Sequence, residues 1–291
     1  MTGGSSFTGY HFAQALLSCG HELTLTHRQA IEEYAPNYRH RIQQLTPHVN
    51  LANTAFGSPK FIELAQGCDV IFHHGAQTKF TTGSKSEITS AVNQNTLGLE
   101  ALLRATDGII FLLSSSYYGG LDSGARSTLF GPYGMSKYQT DLRWKSLCAK
   151  FSKHLSILTI PNPIGPDDNH KLLAQMACCW AKGKPFYMNT PDLIRDNIPV
   201  SALARHINKL LQGEGTLSPS GWISRMDKFA ATVAQETASR TGWICHIIHD
   251  PISTKQPRCL HNKKSIIHSS FDSRQFWDKT VEWMVHISKD N

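Results

Sequence analysis

Tyr133 and Lys137 stand four residues apart in Tyr133-Gly134-Met135-Ser136-Lys137, directly after Gly131-Pro132. On a helix that spacing puts the phenol and the ammonium on one face. A free tyrosine titrates near a pKa of about 10, too high for easy proton exchange around neutrality. A neighbouring ammonium favours the phenolate and lowers that value. The pair is therefore suited to giving a proton to, or taking one from, a carbonyl or hydroxyl group. Upstream, the apolar run 109–113 ends in Ser114-Ser115-Ser116. A serine hydroxyl both donates and accepts, so Ser114 or Ser115 can orient the same substrate oxygen. Such a set moves a proton while a hydride joins or leaves the adjoining carbon, and the hydride carrier for that chemistry is a nicotinamide.

A hydroxyl at a strand end and a phenol on a helix meet only if a sheet and its covering helices hold them together. Residues 7–19 carry apolar positions at helical spacing (Phe12, Ala15, Leu16, Cys19) and stop at Gly20. Residues 22–26 and 49–52 read as strands and 59–66 as a helix. Residues 69–72 read as a buried strand, 86–105 as one long helix and 109–113 as a second buried strand. A helix over 133–151 and a strand over 155–160 follow. This alternation predicts an α/β fold, a Rossmann-type doubly wound parallel sheet covered on both faces. The three serines then lie at the carboxyl edge, where open α/β sheets bind ligands. Beyond Pro161 the rhythm loosens, with helices expected over 172–182, 200–211, 227–240 and 276–287 and loop or extended chain over 251–261. The expected organisation is a dinucleotide-binding domain over 1–166 and a smaller, mainly substrate-binding C-terminal lobe over 167–291, interleaved with the sheet.

The chain opens on Thr2-Gly3-Gly4-Ser5-Ser6-Phe7-Thr8-Gly9, directly before the first helix. Glycines allow a tight turn and let backbone N–H groups approach a pyrophosphate, to which the helix N-terminus adds partial positive charge. Only Met1 and Thr2 precede this loop. The first, central strand is therefore expected to be truncated, leaving its two neighbours with unpaired edges. The strand 22–26 runs into His27-Arg28. An acidic residue there would hold the ribose 2′-hydroxyl of NAD, whereas Arg28 suits the 2′-phosphate of NADP. The plainer reading of Arg28 is a solvated strand-end side chain.

Composition narrows the classes. Hydrophobic residues make up 40% of 291, enough for a full core, which excludes a disordered chain. The longest apolar run is strand-sized, so no membrane span is expected, and no signal peptide is visible. Seven cysteines include no Cys-x-x-Cys pair, which argues against a disulfide framework or a metal site and for a reducing, cytoplasmic setting. Lysine plus arginine exceed aspartate plus glutamate by 29 to 22. The basic residues are dispersed, so the surplus fits a solvated surface first, a phosphorylated small ligand next and nucleic acid last.

Together these motifs resemble the extended short-chain dehydrogenase/reductase family, in its sugar-nucleotide epimerase/dehydratase branch. The opening resembles that family's Thr-Gly-x-x-Gly-x-x-Gly fingerprint at Thr2, Gly3 and Gly9, with Ser6 in place of the middle glycine. The resemblance implies that Gly3, Ser6, Phe7, Thr8 and Gly9 face the cofactor. Residues 69–76 are similar to the strand whose small residues run under the cofactor, which gives that role to Gly75 and Ala76, with Gln77 next along toward the substrate. Asn53 stands near the expected adenine. Asn95 with Gly98 is similar to the family's Asn-x-x-Gly helix. Ser114-Ser115 ahead of Tyr118-Gly119 resembles the serine strand. Spacing from the preceding strand points to Ser115 and spacing back from Tyr118 to Ser114. Tyr133 and Lys137 match the catalytic pair.

Asn162 in Pro161–Pro166 is similar to the Asn-x-x-Gly-Pro turn beside nicotinamide and substrate. Arg195-Asp196-Asn197-Ile198-Pro199-Val200 resembles the Arg-Asp-Phe-x-x-Val segment, and Arg258 stands where a basic residue meets a nucleotide diphosphate. Ser116-Tyr117 replace the Asp-Glu of the dehydratases, so reduction or epimerisation is expected rather than dehydration. The implied substrate is a nucleotide-activated sugar, and the implied assembly is a homodimer through helices 86–105 and 133–151. A non-sugar ketone reductase and a non-catalytic NADP-binding sensor are the competing expectations.

Overall fold

The computed structural model describes residues 1–116, 131–168, 171–212, 215–249, 259–260, 264–265 and 271–289. The chain divides into two compact units, Met1–Ile160 with Ala204–Pro219, and Pro161–Leu203 with Ser220–Asn291.

The first unit is a parallel sheet. Its strands are β1 (Thr24–His27), β2 (Asn50–Asn53), β3 (Val70–His73), β4 (Ile110–Ser116) and β5 (Leu155–Ile160), with Thr216–Leu217 at one edge. β2 pairs with β1, β3 with β4, β4 with β5, and β5 with Thr216–Leu217, all parallel. Between β1 and β3 stands Thr2, which bridges Thr26 on one side and His73 on the other, again parallel. The Met1 nitrogen donates to the Thr24 carbonyl at 2.7 Å, Thr26 N–H to Met1 at 3.0 Å, and Thr2 N–H to Phe72 at 3.0 Å. The expected unpaired edges are therefore partly filled: Met1 and Thr2 hold the central position for β1 and β3.

The helices of this unit are α1 (Phe7–Ser18), α2 (Pro36–Leu45), α3 (Pro59–Ala65), α4 (Lys85–Asn95), α5 (Leu99–Ala105) and α6 (Gly131–Lys150). Side chains alternate across each strand. Ile71, Phe111, Leu113 and Ile157 bury against Phe61, Leu102, Leu103, Trp144 and Cys148 of α3, α5 and α6. The intervening positions carry Phe72, Leu112 and Leu158, and the Phe72 ring meets Phe12 of α1 at 5.6 Å.

The expected single helix over 86–105 is two helices. Gly98 sits at φ +62, a left-handed conformation that breaks the helix, and a Cβ there would fall 2.0 Å from the Gly57 carbonyl oxygen. Likewise 200–211 divides into Val200–Arg205 and Ile207–Leu211.

In the second unit Ile194–Pro199 is the hub. It pairs antiparallel with Trp222–Arg225 and parallel with Asn162–Ile164 and Cys259–Leu260. Its core gathers Trp180 and Met176 of Leu172–Ala181, Phe229 and Val233 of Met226–Thr241, and Trp277 and Met284 of Ser273–Lys289. The pairing of Asn162–Ile164 explains why the units divide after Ile160, earlier than the boundary at 166 read from sequence. Among the described residues no helix is long and apolar enough to cross a membrane.

Candidate active site

Strand alternation decides where each polar side chain of the carboxyl edge goes. Ser115 continues the Phe111–Leu113 face toward α6, and its hydroxyl donates to the Asp141 carboxylate. Ser114 continues the Leu112 face toward α1, and its hydroxyl meets His74 Nδ1 at 2.7 Å. The register His73↔Leu113 makes this second contact a neighbour pair at the ends of β3 and β4.

α6 presents one buried stripe, Lys137, Thr140, Trp144 and Cys148, at helical spacings of three, four and four residues. Tyr133, half-buried, lies one turn before Lys137 on the same face. The Lys137 ammonium is 4% exposed and donates to the Ser114 carbonyl at 2.6 Å. Burial pushes its pKa below the usual lysine value, and the Asp141 carboxylate, one turn further along, opposes that shift. Burial likewise raises Asp141, against the pull of Lys137 and the Ser115 hydrogen bond. Tyr133, Lys137 and Asp141 thus form a ladder at steps of four, with Ser114 and Ser115 of β4 fixed beside it.

The glycine-rich loop is built for close approach. Gly3 lies at φ +72, where a Cβ would stand 2.7 Å from the Gly75 nitrogen. Thr2 Oγ1 accepts from the Gly75 and His74 N–H groups at 2.8 and 3.1 Å, tying the loop to the end of β3. Ser6 caps α1 by accepting from Gly9 N–H at 3.1 Å and donates to the Gly3 carbonyl at 2.9 Å. Thr8 Oγ1 and Ser6 Oγ both meet His74 Nε2, at 3.0 and 3.1 Å. The His73 and His74 imidazoles are held neutral: each pKa is lowered to about 3, chiefly by burial and then by Lys137.

The structure brings Gly3, Ser6, Thr8, Gly9, Gly75, Ser114, Ser115 and Lys137 to one sheet edge. Phe7 turns its ring into the core, where it meets His11 edge-on at 5.4 Å, so its backbone is what faces the loop. Asn53 is exposed, paired in register with His27, and Arg28 is exposed just beyond. Asn95 is buried. Its Oδ1 accepts from Gln77 N–H at 3.2 Å and its Nδ2 donates to Thr140 Oγ1 at 3.4 Å, so it holds the segment after β3, which contains Ala76, against α6. The Gln77 amide donates to Lys79 O. Asn162 and Arg195 belong to the second unit, where Asn162 Nδ2 donates to Asn197 Oδ1 at 2.6 Å. Arg258 and Tyr118 lie outside the described residues. Sequence reasoning missed His74 and Asp141. The signals were a doubled histidine at a strand end and an aspartate four residues after the lysine.

The site fits a dinucleotide. Helix α1, twelve residues long, points its N-terminus at the loop, and a Cβ at Gly9 in its first turn would stand 2.1 Å from the Gly3 carbonyl oxygen.

A parallel sheet with a glycine loop before α1, serines at the end of β4 and a Tyr-x-x-x-Lys helix defines an enzyme of the extended short-chain dehydrogenase type. The chain belongs to the NAD dependent epimerase/dehydratase family, whose sequence model matches residues 1–217. Its fold is that of the UDP-glucuronic acid 4-epimerase from Bacillus cereus, with TM-score 0.76, 16% identity and 98% of each chain covered. It is similar also to the UDP-glucose 4-epimerase of Thermotoga maritima, with TM-score 0.74, 16% identity, and 97% of this chain and 96% of that one covered. The UDP-N-acetylglucosamine 4-epimerase of Methanobrevibacter ruminantium superposes with TM-score 0.73 at 16% identity, covering 98% and 97%. No curated protein matches the chain by sequence at a significant level.

Proposed function

We propose that this chain is an NAD(P)-dependent epimerase or oxidoreductase of a nucleotide-activated sugar. The observation that carries the reading is the Tyr133–Lys137 face, with the Lys137 ammonium bonded to the backbone of the serine strand at the carboxyl edge. The bound dinucleotide supplies the hydride acceptor or donor. Tyr133 Oη exchanges the proton of the substrate hydroxyl or carbonyl, and the Lys137 charge favours its phenolate. The Ser115 hydroxyl proton is directed at Asp141, so Ser115 meets substrate as an acceptor, while the Ser114 hydroxyl is paired with His74 Nδ1. The second unit supplies the substrate-binding lobe, with Asn162 and Arg195 as ligands. The UDP-sugar enzymes of the same fold support the substrate class and NAD binding.

The exposed Arg28 at the end of β1 favours NADP over NAD. The assembly is a homodimer through α4, α5 and α6, tested by light scattering, and the setting is cytoplasmic. A sensor reading is favoured by one observation, the pairing of both serine hydroxyls with protein side chains.

One pair of experiments tests the proposal. Tyr133→Phe lowers turnover on UDP-sugars by at least about 100-fold while dinucleotide affinity holds within about twofold. Wild-type protein that binds dinucleotide yet turns over no UDP-sugar supports the sensor instead. Arg28→Glu weakens NADPH binding by at least about tenfold and spares NADH. Equal effects on both dinucleotides remove the NADP preference.

A further inference from the structure

On the α1 face of the sheet a continuous chain of polar groups runs from the serine strand to the glycine-rich loop, and beyond Ser114 the Tyr-Lys-Ser chemistry leaves it unused. His74 stands at its centre. Its Nδ1 lies 2.7 Å from Ser114 Oγ, and its Nε2 lies 3.1 Å from Ser6 Oγ and 3.0 Å from Thr8 Oγ1. The ring is packed edge-on against Phe12 at 5.2 Å, which fixes its plane.

Hydrogen-bond arithmetic selects the tautomer. The Ser6 hydroxyl has one proton, donated to the Gly3 carbonyl, and already accepts from Gly9 N–H. It can take part in the contact with His74 only by accepting, so Nε2 carries the proton. A neutral imidazole then has an unprotonated Nδ1, to which the Ser114 hydroxyl must donate. The opposite tautomer lets the Thr8 hydroxyl donate to Nε2 but forfeits the Ser6 contact, whereas Nε2–H is shared between Ser6 and Thr8. The neutral state agrees with the burial of the ring beside Lys137.

We propose that His74 is a positioning residue that couples the serine strand to the cofactor loop through one fixed tautomer, Nε2–H. Nδ1 orients the Ser114 hydroxyl, leaving its lone pairs for a substrate hydroxyl, while Nε2–H pins Ser6 and Thr8 at the start of α1. Ser6 in place of the fingerprint glycine is then half of a built contact. The bridge itself stands on geometry alone, and only its effect on ligand binding rests on the cofactor reading above.

Two measurements on the full chain test it. With ¹⁵N-labelled histidine, long-range ¹H–¹⁵N correlation at pH 7 shows His74, assigned by its loss in His74→Gln, as neutral with the proton on Nε2. A ring protonated at Nδ1, or at both nitrogens, overturns the proposal. The second measurement is calorimetric affinity for NAD⁺ and NADP⁺ in a double-mutant cycle. Ser114→Ala weakens the better-bound dinucleotide about threefold in the wild-type background and less than about 1.5-fold in His74→Leu. Equal losses in both backgrounds overturn the coupling. His74→Gln, whose amide N–H replaces the Nε2 donor, keeps affinity within about twofold, whereas His74→Leu loses about fivefold. Equal losses in Gln and Leu also overturn it. If the wild type binds neither dinucleotide, the cofactor reading falls and the tautomer alone decides the bridge.

Discussion

Gly9→Ala is the most direct test of the loop geometry, because two opposed effects on stability can be weighed from the coordinates. Gly9 is helical, so alanine's better helix propensity contributes about 1 kcal/mol in favour. Against it, the new Cβ would lie 2.1 Å from the Gly3 carbonyl oxygen and 2.8 Å from Ser6 Oγ. Carbon–oxygen contacts settle near 3.3 Å or more, so about 1 Å must be found by moving backbone. Moving it breaks the Ser6 cap, about 1 kcal/mol, and strains a packed turn, about 1 to 3 kcal/mol. The net is a loss of about 1 to 3 kcal/mol, which at about 3 °C per kcal/mol lowers the melting point of the first unit by about 3 to 9 °C. Dinucleotide affinity falls at least about tenfold, since the displaced N–H groups are those at the start of α1. Gly67→Ala is the control: its Cβ would meet only the Leu64 carbonyl oxygen at 3.9 Å, and its melting point stays within about 1 °C. Scanning calorimetry with and without dinucleotide reads both quantities. A Gly9→Ala protein that melts with the wild type and binds as tightly refutes the loop as described.

Other expectations follow from the same coordinates. Gly98→Ala combines a left-handed φ with a backbone collision and costs about 2 to 5 kcal/mol, read as a lower urea midpoint; an unchanged midpoint contradicts the break between α4 and α5. His73 and His74 titrate near 6.5 when unfolded and at about 3 when folded, so the unfolded chain binds more protons below pH 6.5. Their contribution is complete above pH 6.5 and declines toward pH 3 by about 1.4 kcal/mol per histidine per pH unit. A melting point that stays level from pH 7.5 to 5 is the contrary result, and His74→Leu halves the slope.

The centre of the sheet is readable because β3, β4 and β5 carry apolar runs between clear breakers, and the strand over 155–160 lies where its pattern places it. The Tyr133–Lys137 face was readable because helical spacing alone puts those groups together. Other features needed the third dimension. Helix α2 has mixed polarity, with Arg41 buried and donating to the Ser5 carbonyl, so its apolar stripe is weak. The hub strand Ile194–Pro199 carries Arg195, Asp196 and Asn197 and has no apolar strand pattern, because its pairing partners are remote in sequence. Gly98 fits a continuous helix by local pattern, because the Gly57 backbone that meets it is remote in sequence. His74 meant nothing until the register of β3 and β4 placed it beside Ser114.

The edge strand Thr216–Leu217 joins β5 only after the chain has passed through Pro161–Leu203 of the other unit. On the ribosome β5 therefore emerges well before the segment that covers it. At synthesis rates of about 5 to 20 residues per second the delay is about 3 to 11 s, long against the formation of a strand pair. Ile207–Leu211 comes in the same late stretch, and with it the Leu210 carbonyl that accepts from Ser156. The nascent protein thus carries its loop, serines and Tyr-Lys helix through those seconds with one flank of the sheet open. A chain stopped after Ile160 or Pro166 would keep that flank open permanently.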